Sequence, residues 1–234
     1  MHRIFEVGRR VFVSKPINHF PLAPDGHSYL MGGGIGVTPM VAMAHALYAQ
    51  GRSFDLHYSV TTRADAGFIL LLQNTPWADA VHIHISDEGT RADLMAVLPH
   101  RMDAHVYTCG PDSYMQAVMD AAAANGFDDE HRHLEFFAVP EAPDYENHPF
   151  ALQLADGRQI AVAADEAASD ALLRAGIHID VKCADGLCGV CQCGVTAGVV
   201  EHRDYVLSKA QRSTNMILCQ SRAARKDSVI SIDL

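Results

Sequence analysis

The sequence predicts an α/β unit with a parallel sheet, followed by a smaller strand-rich unit organised around a cysteine loop. Three observations carry this reading. Residues 28–137 alternate short apolar runs with helix-like stretches, the pattern of a parallel sheet covered on both faces. Residues 139–149, VPEAPDYENHP, hold three prolines among acidic residues, which suits an exposed linker. Beyond them the pattern turns to short strands, and four of the six cysteines fall within residues 183–193.

The elements follow in order. SYLMGG (28–33) reads as a strand. Residues 38–50 read as a helix, with Met40, Val41, Ala44 and Leu47 at helical spacing. SFDLHYSV is the next strand, followed by a short helix around Phe68–Leu72. VHIHIS (strand), RADLMAVL (helix), AHVYTCG (strand) and SYMQAVMDAAAANG (helix, stopped by Gly126) continue the alternation, and HRHLEFFA closes it as a strand. In the second unit FALQL and QIAVA are strands, Ser169–Ala175 a helix, and VTAGVVEH, STNMILC and DSVISIDL further strands. At the front, RRVFVSKP reads as a strand and INHFPLAP as a loop. The expected division is 1–23, 24–138, a linker at 139–149, and 150–234.

The chain has 234 residues, 49% hydrophobic and 20% charged, enough for two folded units with their own cores. Its net charge of −10 lacks the basic balance that nucleic-acid binding requires. MHRIFEVGRR has no continuous apolar stretch of the secretory kind, and no apolar run reaches the ~18 residues of a membrane span. A cytoplasmic location is therefore expected, where crowded cysteines read as metal ligands before disulfides.

Cys183-Ala-Asp-Gly-Leu-Cys188-Gly-Val-Cys191, with Cys219 beyond a gap of 27 residues, has the C-x4-C-x2-C…C spacing of plant-type [2Fe–2S] ligation. Four thiolates must surround two irons. A tight loop supplies three, Gly186 and Gly189 let the backbone wrap closely, and a distant strand supplies the fourth. The competing reading is a structural zinc site on Cys183, Cys188, Cys191 and Cys193. A second signal is Met31-Gly-Gly-Gly-Ile-Gly-Val-Thr-Pro39 between a strand and a helix, where free backbone N–H groups can receive a phosphate. A third is Cys109-Gly110-Pro111 at the end of a strand, the end at which open α/β sheets bind ligands. The paired histidines His82/His84 and His131/His133 read as structural residues, since no metal-binding histidine motif accompanies them.

GGGIGVTP, HYSV, YTCGP, the cysteine loop, HRDYVLS and MILCQSRA, in this order, resemble the class I Rieske-oxygenase reductases of the phthalate dioxygenase reductase and vanillate O-demethylase reductase type. The resemblance runs from about Glu6 to the C-terminus. It implies a ferredoxin-reductase-like nicotinamide-binding α/β domain followed by a β-grasp [2Fe–2S] ferredoxin domain. It implies a pyrophosphate loop of Gly32, Gly33, Gly34, Gly36, Thr38 and Pro39, with Gly110 and Pro111 also at the cofactor. It implies Cys109 against the nicotinamide and Phe137, with Glu135 and Phe136, at the catalytic edge. Cys183, Cys188, Cys191 and Cys219 would hold the cluster.

The family uses NAD(P)H and FMN. Here Thr61 stands where the family often has arginine, with Arg63 nearby, which leaves NADH against NADPH open. No flavin motif is found, so residues 1–23 are expected to be the remnant of a flavin-binding barrel. A nicotinamide gives up two electrons as hydride, a [2Fe–2S] cluster accepts one, and a flavin ordinarily divides the pair. The chain alone is thus expected to reduce its own cluster poorly with NADH. The implied role is an electron-transfer oxidoreductase delivering electrons to a Rieske-type aromatic oxygenase or demethylase. The alternative is a ferredoxin-like carrier with a vestigial nicotinamide domain, reduced by a separate flavoprotein.

Overall fold

A computed structural model describes residues 8–13, 18–137 and 145–234. The first unit is a five-stranded parallel sheet in the order β3-β2-β1-β4-β5, formed by β1 (Ser28–Gly33), β2 (Phe54–Val60), β3 (Val81–Ile85), β4 (His105–Cys109) and β5 (Arg132–Glu135). The chain builds outward from β1 to β3 and then returns to the other side of β1 with β4. The β1/β4 junction is therefore the topological switch point, where a crevice opens at the strand carboxyl ends.

Helix α1 (Val37–Ala49) presents Val37, Met40, Met43, Ala44 and Leu47 to one sheet face, against Leu30, Leu56, Tyr58 and Tyr107. Helix α4 (Asp112–Ala124) covers the other face with Val118, Ala121 and Ala122, against Tyr29, Met31 and Val106. Phe127 N–H bonds back to Ala122 C=O across Gly126, which ends α4 as a glycine-stopped helix does. Two short helices complete the unit, α2 (Ile69–Gln73) and α3 (Leu94–Val97). The helix expected over 91–98 is shorter because Asp93 caps it, accepting from Met95 and Ala96 N–H, and Pro99 follows Leu98.

The second unit is a five-stranded mixed sheet in the order β10-β8-β12-β6-β7, from β6 (Phe150–Gln153), β7 (Gln159–Val162), β8 (Gln192–Ala197), β10 (Asn215–Ile217) and β12 (Val229–Ile232). Its central pair, β12 and β6, is parallel and the other pairings are antiparallel. Helix α5 (Ala168–Arg174) buries Ala168, Ala171 and Leu172 in the same core as Phe150, Leu152 and Ile230, the arrangement of the expected β-grasp fold. A small ribbon of β9 (Val200–Glu201) and β11 (Arg222–Ala223) adds a pairing the sequence pattern did not separate. Arg222 donates to the carbonyls of His148, Ala163 and Glu166, and Arg203 lies over the Tyr145 ring, so residues 145–150 are held to this unit.

The expected front strand, residues 9–16, is corrected where it can be seen. Residues 9–13 form no strand, Phe12 and Val13 are exposed, and Ser14, Lys15 and Pro16 lie outside the described residues. A strand needs a paired neighbour, and among the described residues none offers an edge there. The loop that follows is built into the α/β unit. Phe20 is buried edge-on to Tyr107, whose hydroxyl accepts from Ala23 N–H at 2.7 Å. The closing strand is also shorter than HRHLEFFA, since Phe136 and Phe137 leave the sheet; Ala138 is outside the described residues.

Two histidine clusters lie on opposite sheet faces. His57 stacks on His82 and His84, with Nδ1 3.0 Å from His84 Nε2. His133 stacks on Tyr107 and sits 3.1 Å from His105 Nδ1. Burial, reinforced by the neighbouring imidazoles, pushes His57 down to about 3 and His133 down to about 4. Both are neutral in the fold, while the unfolded chain takes up protons near pH 6.5. Their stabilising contribution is complete above that pH and declines as pH falls toward the folded values. Between pH 6.5 and 5 the loss is at most about 2 kcal/mol for each. Urea unfolding followed at the buried Trp77 should show His57→Gln losing less stability than the parent between pH 7 and 5; equal losses would refute the assignment.

Candidate functional site

The cysteine loop gathers its thiols through backbone turns. Ala184, Gly186 and Gly189 all have positive φ, at 60°, 72° and 64°, so the backbone turns sharply at each. At Gly186 a side chain would also press on Asp204 and Gln220. Asp185 N–H donates to Cys183 Sγ at 3.4 Å. Cys219 follows β10, and Leu218 N–H bonds to Cys191 C=O at 3.1 Å, which places the end of β10 beside the loop.

The donor set fits an iron–sulfur centre. Cys219 donates to Cys191, which holds the Cys191 thiol down to about 6 and raises Cys219, with backbone N–H groups adding to the Cys191 effect. Burial opposes ionisation of Cys183, yet N–H donors from Asp185, Leu187 and Cys188 and the Cys188 thiol hold it below an ordinary thiol. Clustered thiols sharing protons under converging N–H groups are what a cationic centre would relieve. Among the described residues no three His, Cys, Asp or Glu side chains close on a point suited to one ion. A two-iron centre spreads its four ligands and needs no such point. The zinc set is not assembled, because the buried Cys193 thiol turns to Asp233 Oδ1 at 3.4 Å. Burial and Asp233 push that thiol up to about 12.

The loop is braced by residues that spacing alone did not single out. Buried Asp204 accepts from Leu207 N–H at 2.9 Å, Tyr205 N–H donates to Gly186 C=O at 3.1 Å, and Gln220 Nε2 donates to Ala184 C=O at 2.7 Å. The only sequence signal for them is their place within HRDYVLS and CQSRA.

At the switch point of the first unit lies a cleft of about 370 Å³, lined by Gly33, Gly34, Ile35, Gly110, Pro111, Asp112 and Phe137. Gly110 and Gly33 meet backbone to backbone, so a Cβ on Gly110 would stand 2.9 Å from Gly33 Cα. Of the expected pyrophosphate residues, Gly33 and Gly34 line the cleft. Gly32 and Gly36 face inward, against Val37 and against the Cys109 carbonyl. Thr38 Oγ1 donates to Ile35 C=O at 3.0 Å, and Pro39 occupies the first turn of α1. Helix α1 starts with no side-chain cap; Val37 N–H bonds to the Gly34 and Ile35 carbonyls of the preceding turn, and Pro39 has no N–H. Phe137 is half-exposed on the cleft wall, whereas Cys109 is fully buried behind it. Burial, and then Glu135, push the Cys109 thiol up to about 12. Ile35 and Asp112 line the cleft without having been anticipated.

Cleft and cysteine loop are neighbours. Phe137 lines the cleft, Phe136 packs edge-on to Tyr205 at 5.0 Å, and Tyr205 is bonded to the cysteine loop. His19 lies against Gly189 of the same loop, and Lys209 Nζ reaches Asp129 at 3.2 Å.

Residues 153–224 match the family described as a 2Fe-2S iron-sulfur cluster binding domain. Over its full length the chain is 34% identical to the vanillate O-demethylase oxidoreductase of Pseudomonas sp. (strain HR199 / DSM 7063), covering 75% of that protein. An intact type IV self-sufficient cytochrome P450 monooxygenase contains a similar structure (33% identity, TM-score 0.87), covering all of this chain and 31% of its own. Phthalate dioxygenase reductase, described as a modular structure for electron transfer from pyridine nucleotides to [2Fe-2S], matches 94% of this chain and 70% of its own at 32% identity and TM-score 0.56.

Serine at Cys183, Cys188, Cys191 or Cys219 should each abolish the visible absorption of the cluster, while Cys109→Ser and Cys193→Ser retain it. Retention in Cys219→Ser with loss in Cys193→Ser would overturn the ligand set.

Proposed function

From its membership of the oxidoreductase family of oxygenase and demethylase systems, we propose that this chain binds NADH at the β1/β4 cleft and, with a flavin to divide the hydride pair into single electrons, passes them through a cluster on Cys183, Cys188, Cys191 and Cys219 to an oxygenase component. It is an electron-transfer oxidoreductase with a 2Fe-2S domain. The observation that carries the proposal is the adjacency of the glycine cleft to the cysteine loop through Phe137, Phe136 and Tyr205.

When bound, the cluster supplies one-electron transfer at low potential, about −400 mV for plant-type sites. The residues around it do the positioning. The N–H groups of the loop stabilise charge on the sulfurs, and Asp204 and Gln220 hold the loop in the shape that presents them. At the cleft, the open space beside Gly34 leaves room for a phosphate to approach the backbone of the glycine turn. Gly110 and Pro111 form the floor beside a nicotinamide and Phe137 its wall. Buried and protonated, Cys109 would support that floor and would not act as a nucleophile. Ala184 and Asp185 are exposed at the cluster loop and form the rim an oxygenase would meet; the proposed partner is of the Rieske type, acting on an aromatic substrate.

No helix among the described residues is long and apolar enough to cross a membrane. We place the chain in the cytoplasm, where cysteines serve as cluster ligands and thiols and not as disulfides.

Ile35 is exposed on the cleft wall and can be exchanged without disturbing the core. Ile35→Glu sets a carboxylate against the pyrophosphate and should weaken NADH binding at least about tenfold by titration calorimetry, with the cluster spectrum unchanged. Unaltered NADH affinity in this variant would refute the cleft assignment.

A further inference from the structure

We propose that the Arg63–Glu88 pair sets dinucleotide preference in this chain, favouring NADH over NADPH; the inference rests on the dinucleotide cleft proposed above. The cleft lies on the β4 side of the switch point, bounded by Gly110, Pro111 and Asp112. A dinucleotide whose nicotinamide half occupies it must carry its adenosine half over the Gly34–Gly36 turn toward the strand on the other side of β1, which is β2. In parallel nucleotide-binding sheets, the groups just past that second strand meet the adenosine ribose. An acid there receives the 2′-hydroxyl, and an arginine accommodates a 2′-phosphate.

The first charged side chain after β2 is Arg63, three residues beyond Val60. Taken alone it would favour the phosphate. Its fork is already occupied. Arg63 Nε and NH2 donate to the two carboxylate oxygens of Glu88 at 2.7 and 2.6 Å. Glu88 stands just past the carboxyl end of β3, and Asp87 N–H bonds to Thr61 C=O at 3.1 Å, so the loops after β2 and β3 are tied together at this point. Asp65 lies in the same turn as Arg63, its carboxylate accepting from Thr62 Oγ1 at 2.8 Å.

The rim therefore presents one guanidinium among the carboxylates of Asp65, Asp87 and Glu88. A 2′-phosphate would have to displace Glu88 from the fork and remain beside the displaced carboxylate. A 2′-hydroxyl can donate to a carboxylate there and leave the fork closed. Arg63 is 63% exposed and Glu88 38%, so solvent screens the pair and the discrimination should be about tenfold.

The test is titration calorimetry of the full chain with NADH and with NADPH. The parent should bind NADH about tenfold more tightly. Glu88→Gln opens the fork and should tighten NADPH about tenfold while NADH stays within about twofold. Adding Arg63→Ala to Glu88→Gln should cancel that gain, which identifies the freed guanidinium as its source. Equal affinity of the parent for both dinucleotides, or no NADPH gain in Glu88→Gln, would overturn the inference. Failure of the underlying cleft reading has a separate signature, namely NADH binding that Ile35→Glu leaves untouched.

Discussion

Bringing four thiols into one corner is the constraint on which the second unit is built. Thiolates repel one another, so such a group tolerates ionisation only where N–H donors and a cationic centre offset the repulsion. The loop meets this demand with three residues of positive φ, including Ala184, a conformation that costs a non-glycine residue energy. Gln220 offsets that cost by holding the Ala184 carbonyl, and buried Asp204 fixes the segment against which Gly186 packs. The mixed sheet contributes the fourth thiol just past β10, so the proposed cluster site and the hydrophobic core share Cys191 and Cys219. Loss of the centre would therefore disturb packing as well as redox chemistry.

In the first unit the governing feature is strand order. Reversal of direction at β1 leaves the ends of β1 and β4 without a crossing connection, and two glycines let those ends touch backbone to backbone. The cleft forms above that contact. Cys109 shows how proximity to such a cleft differs from membership of it. It ends β4 beside the floor, yet its side chain points into the core shared with α1. The aromatic pair Phe136–Tyr205 then joins this unit to the cysteine loop, so the proposed nicotinamide cleft and the proposed cluster loop are neighbours.

Much of this architecture was legible in the chain because its causes are local. The strand–helix alternation, the apolar spacing of α1, the glycine stop of α4 and the 4–2 cysteine spacing each depend on residues a few positions apart. The misreadings have local explanations too. Helix α3 is short because Asp93 and Pro99 bracket it, and the run at 9–13, with apolar Val11, Phe12 and Val13, looks like a strand but has no paired neighbour among the described residues. A strand is specified by its partner, which a single run of residues does not contain.

The sequence by itself determined the two units, the glycine turn and the cysteine spacing, since these follow from period and reach along the backbone. The tertiary structure alone decided which glycines line the cleft, that Cys193 turns to Asp233, and that Arg63 is closed onto Glu88. It also decided that His19 lies on the cysteine loop and that Asp204 and Gln220 brace it. These contacts join residues distant in the chain, and their geometry is set by how sheets and loops pack in space, which no local pattern encodes.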